Sequence, residues 1–151
     1  MEGPRQPAPG LTWVRVSPEP IEAAALLARV AGPGAGAVSL FLGTVRDRSA
    51  GRPGVTHLEY EAYPRVAEEK IAAIAAEARE RWDLLSVAVE HRVGRLEVGE
   101  PSVGIAVSSA HRVDGLEAVR YLIDQLKERA PIWKKEHWAG GAEWVGAEGG
   151  G

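Results

Sequence analysis

At Pro131 the hydrophobic period of the chain changes. From Asp114 to Ala130 apolar residues recur at helical spacing, with Leu116, Val119, Leu122, Ile123 and Leu126 forming one seam. From Ile132 to Trp138 the pattern is that of an extended segment. Proline has no amide to donate and its ring crowds the preceding turn, so the helix must stop there. A helix and a strand are thus joined with almost no linker. The junction carries Lys127 near the helix end and Lys134 and Lys135 on the extended run, beside Trp133. Ammonium groups on adjoining elements suit a site that handles an anionic or carbonyl substrate.

The same reading of period and punctuation organises the rest. Leu11 to Ser17 alternates as a short strand, and Ser17-Pro18 has the form of a helix start before an Ala- and Leu-rich helix at Ile21 to Ala31. Ala37 to Val45 is mostly apolar and is expected as a strand buried on both faces. Arg46 to Gly54 is expected as a mobile polar loop, followed by a strand from Val55 to Tyr63 with Leu58 and Tyr60 on one side and His57, Glu59 and Glu61 on the other. Pro64 opens a helix to Trp82, whose apolar face holds Ala67, Ile71, Ile74, Ala75, Ala78 and Trp82. Strands are expected at Ser86 to Val93 and Ser102 to Ala110, joined through Gly94 to Pro101. Asp114 is the expected cap of the last helix, with Glu117 completing a capping box. Gly140-Gly141 turns the chain, and Glu143 to Val145 is expected to return as a short strand. Helices and strands mix without strict alternation, which points to an α+β domain over residues 11–145, with a disordered lead at 1–10 and a flexible glycine-rich tail at 146–151.

Composition closes off several functions. A net charge of −3 provides no global field for nucleic acid, so anion binding has to come from a local cluster. No apolar run reaches membrane-spanning length and the first ten residues lack a signal-peptide core, so a cytoplasmic location and no membrane partner are expected. With no cysteine there is neither disulfide nor thiolate chemistry, and sulfur handled by this chain would arrive on another molecule. His57, His91, His111 and His137 are scattered without ligand spacing, so no metal and no cofactor is expected.

Three groups of residues carry chemistry. Lys127 follows Leu126 and should emerge at the edge of the buried seam, where partial burial would make it a base or nucleophile. It could equally be a lysine favoured by the helix C-terminal dipole, its stem lying on apolar surface. Lys134, and not Lys135, shares a strand face with Ile132 and Trp138, which suggests function; an edge lysine that blocks aggregation is the alternative. His111 and Arg112 precede a helix N-terminus and could hold phosphate, unless Asp114 already satisfies the free amides. Arg46, with Arg48 and Arg52, could close the mobile loop over an anion or belong to a charged surface turn. Asp114 and Lys127 stand about 20 Å apart along one helix at 1.5 Å per residue. If His111 and Arg112 share a site with Lys127 and Lys134, the two halves come from different subunits, and a symmetric homodimer with composite sites is expected.

Several blocks in order then match a known family. Gly36-Ala37-Val38-Ser39-Leu40-Phe41-Leu42-Gly43-Thr44-Val45-Arg46, Leu58-Glu59-Tyr60-Glu61-Ala62-Tyr63, Ser108-Ser109-Ala110-His111-Arg112 and the Leu126-Lys127 to Lys134-Lys135-Glu136 stretch run over roughly residues 11–145. In these the chain resembles the large, catalytic subunit of molybdopterin synthase, the MoaE family. The resemblance implies an α/β-hammerhead type fold with mixed and antiparallel sheets and three main helices. It implies a dimer of large subunits, each binding a small ubiquitin-like sulfur carrier (a MoaD-like subunit) in a heterotetramer. The carrier's C-terminal thiocarboxylate would supply sulfur to cyclic pyranopterin monophosphate (precursor Z), giving the dithiolene of molybdopterin. Lys127 would be the acid/base or transient acyl acceptor, Lys134 would position substrate and stabilise developing negative charge, and Arg46, His111 and Arg112 would bind the pterin and its phosphate. The chain departs from many relatives in carrying Asp47 where they have asparagine. Its Gly149-Gly150-Gly151 end superficially resembles a carrier tail, but nothing upstream reads as a ubiquitin-like domain. The rival readings are a non-catalytic partner that docks a ubiquitin-like tail and a phosphate-ester enzyme built on His111 and Arg112.

Overall fold

The computed structural model describes residues 10–49 and 52–147. In chain order the elements are β1 (Thr12–Ser17), α1 (Ala23–Val30), β2 (Ala37–Thr44), β3 (Arg48–Ser49), β4 (Arg52–Pro53), β5 (Val55–Ala62), α2 (Pro64–Arg81), β6 (Leu84–Arg92), β7 (Gly94–Glu97), β8 (Pro101–Ser109), α3 (Arg112–Arg129), β9 (Ile132–Trp138) and β10 (Gly141–Ala147). The proposed lead at 1–10 and tail at 146–151 fall almost wholly outside the described residues, and β10 runs through Ala147.

The result is an α+β fold with three helices and two four-stranded sheets. The first sheet has the order β1-β6-β8-β2; β1 runs parallel to β6 and the other pairs are antiparallel. Side-chain size decides which helix covers which face. On one face Val87, Val89, Ile105 and Val107 pack with Ile71, Ile74 and Leu122 of the two long helices. On the other, Ala88 and Ala106 leave room for α1, which inserts Leu26 and Val30. Gly104 continues that space, since a Cβ there would stand 2.5 Å from Leu26 Cδ1. Both faces of β6 and β8 are therefore buried. Glu90 is buried on β6 and is paired with Arg15, directly opposite on β1.

The second sheet is antiparallel throughout, in the order β10-β9-β5-β7. Leu58 and Tyr60 turn inward as the alternation requires, and Gly140, with φ of +96°, makes the turn between β9 and β10.

Four expectations need correction. β2 is an edge strand with Val38 and Leu40 exposed, so it is not buried on both faces; an apolar run alone cannot distinguish an edge from a centre. The link from Gly94 to Pro101 contains β7, four residues too short to show a period. The Arg46 to Gly54 loop holds a two-stranded hairpin, β3 with β4. Helix α1 begins at Ala23 rather than after Ser17, whose hydroxyl accepts the Glu19 amide in a local turn.

The seam of α3 is also rotated from the expected one. Gly115, Ala118, Leu122 and Leu126 are buried, while Leu116 is 59% exposed. Small residues at 115 and 118 let the first turns of the helix lie close to β8 and β2, and Leu116 is carried outward. Leu122→Ala should therefore lower unfolding stability by about 2–5 kcal/mol, and Leu116→Ala by less than about 0.5 kcal/mol, in urea denaturation. Similar costs at both positions would contradict this packing.

Candidate active site

The junction at Pro131 is rigid. Ala130 and Ile132 are both buried, and the Ile132 amide donates to the Ala130 carbonyl at 2.9 Å, closing a three-residue turn around the proline. Helix α3 is further held at this end by α2. Arg129 donates to both carboxylate oxygens of Glu77, at 2.6 and 2.7 Å, and the Tyr121 hydroxyl donates to the same group at 2.6 Å. Two fixed attachments thus set where the last turn of α3, with Lys127, meets the second sheet.

On that sheet Lys134 of β9 lies opposite Tyr60 of β5. Alternation puts Lys134 and Glu136 on the side of the buried Leu58 and Tyr60. A cavity of about 130 Å³ opens there, and Lys127, Lys134, Arg46, Arg48, Tyr60 and Glu136 are among its lining residues. Three of the expected site residues, Arg46, Lys127 and Lys134, are thus brought together from β2's end, α3 and β9. Four cations face one buried carboxylate, in a chain whose net charge is −3. The local excess of positive charge suits an anionic substrate. Lys127 is exposed rather than partly buried: Leu126 takes the buried place, and the next helical residue is turned about 100° from it.

His111 and Arg112 are elsewhere. They lie at the opposite end of α3, both exposed, and neither lines this cavity. The helix starts at Arg112 with His111 as its N-cap, not at Asp114, and the His111 side chain makes no capping bond. The Ser109 hydroxyl donates to the His111 carbonyl at 2.7 Å, which fixes the start of the helix two residues before the expected cap. Asp114 sits in the first turn instead, where the helix dipole favours its charge. The expected capping box does not form. Glu136 and Tyr60 were not singled out from sequence, although the alternation that places Lys134 inward places Glu136 there too.

The chain is similar to known proteins in both sequence and fold. The family described as MoaE protein matches residues 16–129, a span that ends between Lys127 and Lys134. The chain is 49% identical over 128 residues to a molybdopterin synthase catalytic subunit of Halalkalibacterium halodurans, covering 85% of this chain and 81% of that protein. It superposes on the crystal structure of molybdopterin synthase from Staphylococcus aureus with a TM-score of 0.82 and 40% identity, over 87% of this chain and 96% of that one. A chain in the complex of subunits 1 and 2 of molybdopterin-converting factor from Helicobacter pylori shares the fold, with a TM-score of 0.69, 18% identity and 89% coverage of each chain.

The attachment at Glu77 generates a pH dependence. The Arg129 guanidinium, and after it the Tyr121 hydroxyl, hold the Glu77 carboxyl down to about 2 from an ordinary 4.5. A depressed folded-state value stabilises the fold above the unfolded value and loses that contribution as pH falls. The contribution should be complete above about pH 4.5 and fade toward pH 2. Glu77→Gln should then reduce stability at pH 7 and flatten its loss between pH 4.5 and pH 2, as read by urea titrations across that range. An acid profile identical to that of the parent chain would contradict this role.

Proposed function

Because the chain belongs to the MoaE family and works as the catalytic subunit of a molybdopterin synthase in molybdenum cofactor biosynthesis, we propose that it moves sulfur from the C-terminal thiocarboxylate of a small ubiquitin-like carrier to cyclic pyranopterin monophosphate, and that Lys127 and Lys134 act on the reacting atoms. The observation that carries this is the convergence of Lys127, Lys134 and Arg46 on one cavity next to the buried Glu136. In each transfer the carbon–sulfur bond of the carrier's acyl group breaks as a bond from sulfur to a pterin carbon is made, and that carbon gives up a bond to oxygen, the oxygen staying on the phosphate or leaving as water. The acyl carbon takes its new oxygen from water, so the carrier leaves as a carboxylate. Negative charge collects on the acyl oxygen on the way, and Lys134 is the cation placed to stabilise it. Lys127, the more exposed of the two lysines, exchanges protons or takes the acyl group transiently. A chain without cysteine has no thiol with which to replace the external donor.

The small carrier subunit is the proposed partner, as in the Helicobacter pylori complex of two different subunits. Two large subunits would form the centre of the assembly. The length of α3 supports this: Arg112 and Lys127 are about 22 Å apart along the helix axis, too far for one small substrate. The cavity supports it as well, since 130 Å³ is below the usual ligand range of about 300–1,000 Å³ and is the size of a partial site. The pterin phosphate would be held by Arg46 from one subunit and by His111 and Arg112, at an uncapped helix N-terminus, from the other.

Two experiments test the reading. With precursor and thiocarboxylated carrier, the parent chain should form the dithiolene product by mass spectrometry. Lys127→Ala should cut the rate about 10²–10⁴-fold while retaining carrier binding; unchanged turnover would remove the assigned role. Randomly mixed Lys127→Ala and Arg112→Ala chains should recover about a quarter of parental activity, because half of the dimers would contain one intact site of two. A site made within one chain would recover none.

A further inference from the structure

The β5–β9 pairing has a second product, on the face away from the cavity. His57 and His137 are direct cross-strand partners there, with rings stacked at 4.1 Å between centroids and 14° between planes. Glu59, two residues along the same face, places Oε1 at 3.3 Å from His137 Nε2. One donor atom from each of the three side chains lies within 4.8 Å of the other two. Histidines that are far apart in sequence thus acquire the proximity that their spacing did not suggest.

We propose that His57, Glu59 and His137 bind a divalent transition-metal ion of the zinc class, at a site separate from the sulfur-transfer cavity. Two imidazoles and one carboxylate form a donor set for Zn²⁺ and its later first-row neighbours, and are too nitrogen-rich for Ca²⁺ or Mg²⁺. Thr56 prepares one of the ligands. Its hydroxyl donates to the His137 carbonyl at 3.2 Å and stands 3.1 Å from His57 Nδ1. When the hydroxyl gives its one proton to the carbonyl it meets Nδ1 as an acceptor, an arrangement that puts the ring proton on Nδ1 and leaves the Nε2 lone pair for an ion. His137 Nε2 is buried and makes no hydrogen bond of acceptable geometry, its contact with Glu59 being the 3.3 Å ion-pair approach.

The neighbouring cations have other partners. Arg95, opposite Glu59 on β7, donates to Glu97 at 2.7 Å. Lys135, opposite Glu59 on β9, lies 5.5 Å from the centre of the Trp144 ring. Glu59 is therefore directed at the histidine pair by its strand position, while the Arg95 charge still reaches His57. Stacked rings cannot both aim in-plane lone pairs at one ion, so binding must turn a ring out of the stack, bringing the donors to roughly 3–3.5 Å from each other around bonds of about 2.0–2.2 Å. An ion held there ties β5 to β9 in the register that presents Lys134 on the far face, and three protein ligands leave further positions for water or another donor.

The test uses the untagged full-length chain, freed of metal with a chelator and titrated with Zn²⁺ by calorimetry and in thermal melts. One ion per chain should bind, and at a hundredfold excess over Kd the melting midpoint should rise by roughly 5–10 °C. His57→Ala and His137→Ala should each weaken binding at least tenfold, with Glu59→Gln as the milder variant should either histidine change perturb folding by circular dichroism. His111→Ala should bind as the parent does. Histidine ring resonances of residues 57 and 137 should shift on titration. Absence of binding, or equal affinity in parent and His57→Ala/His137→Ala double variant, would overturn the proposal.

Discussion

Eighteen residues of unbroken α-helix cannot fold back to bring their ends together, and α3 is such a rod. Its first turns are packed close against β8 and β2 by Gly115 and Ala118, and its last turn is held to α2 through Arg129 and Glu77. Between these attachments it runs beneath the first sheet and delivers Lys127 to the second. One functional group, His111 with Arg112, is therefore fixed at the start of the rod and another, Lys127, at its end. Within a single chain only the second faces the cavity that holds Lys134 and Arg46. The proposed pairing of two chains answers this separation without bending any element.

The second determinant is the register of β5 against β9. Tyr60 opposite Lys134 and Leu58 opposite Glu136 build the wall of the cavity, and His57 opposite His137 builds the cluster on the other face. Because side chains alternate, a slip of one residue would exchange the two sets. Buried Leu58, Ile132 and Tyr60 oppose any such slip, since it would carry them into solvent. The same pairing therefore supports both the catalytic assignment and the proposed metal site, although the two make separate chemical demands.

Much of this architecture is legible in the sequence wherever local chemistry decides it. Pro131 breaks α3 and starts β9, the bounds of β9 are as expected, and the inward set of α2 is the one its period implies. What stays hidden depends on neighbours. The edge position of β2, the parallel pairing of β1 with β6 and the existence of β7 follow from how strands are ordered, which no local period records. Leu116 looks like a seam residue until Gly115 and Ala118 draw the helix against the sheet through small side chains. The site is divided in the same way: alternation marks Lys134, proximity to the seam marks Lys127, but Glu136, Tyr60 and the meeting of His57 with His137 need the β5–β9 register. The family resemblance implies a role for Lys127 and Lys134; the fold brings the two to one cavity.

The central claim is that the amines at one end of α3 meet the guanidinium and imidazole from the other end of a neighbouring copy. A chain without cysteine allows a direct measurement of that distance. Chains carrying Lys127→Cys can be mixed with chains carrying Arg112→Cys and treated with a thiol cross-linker that reaches less than half the about 22 Å separating these positions along one helix. Covalent dimers joined from position 127 of one chain to position 112 of the other are the expected product. Reactive thiols that never join between chains would contradict a site shared by two subunits.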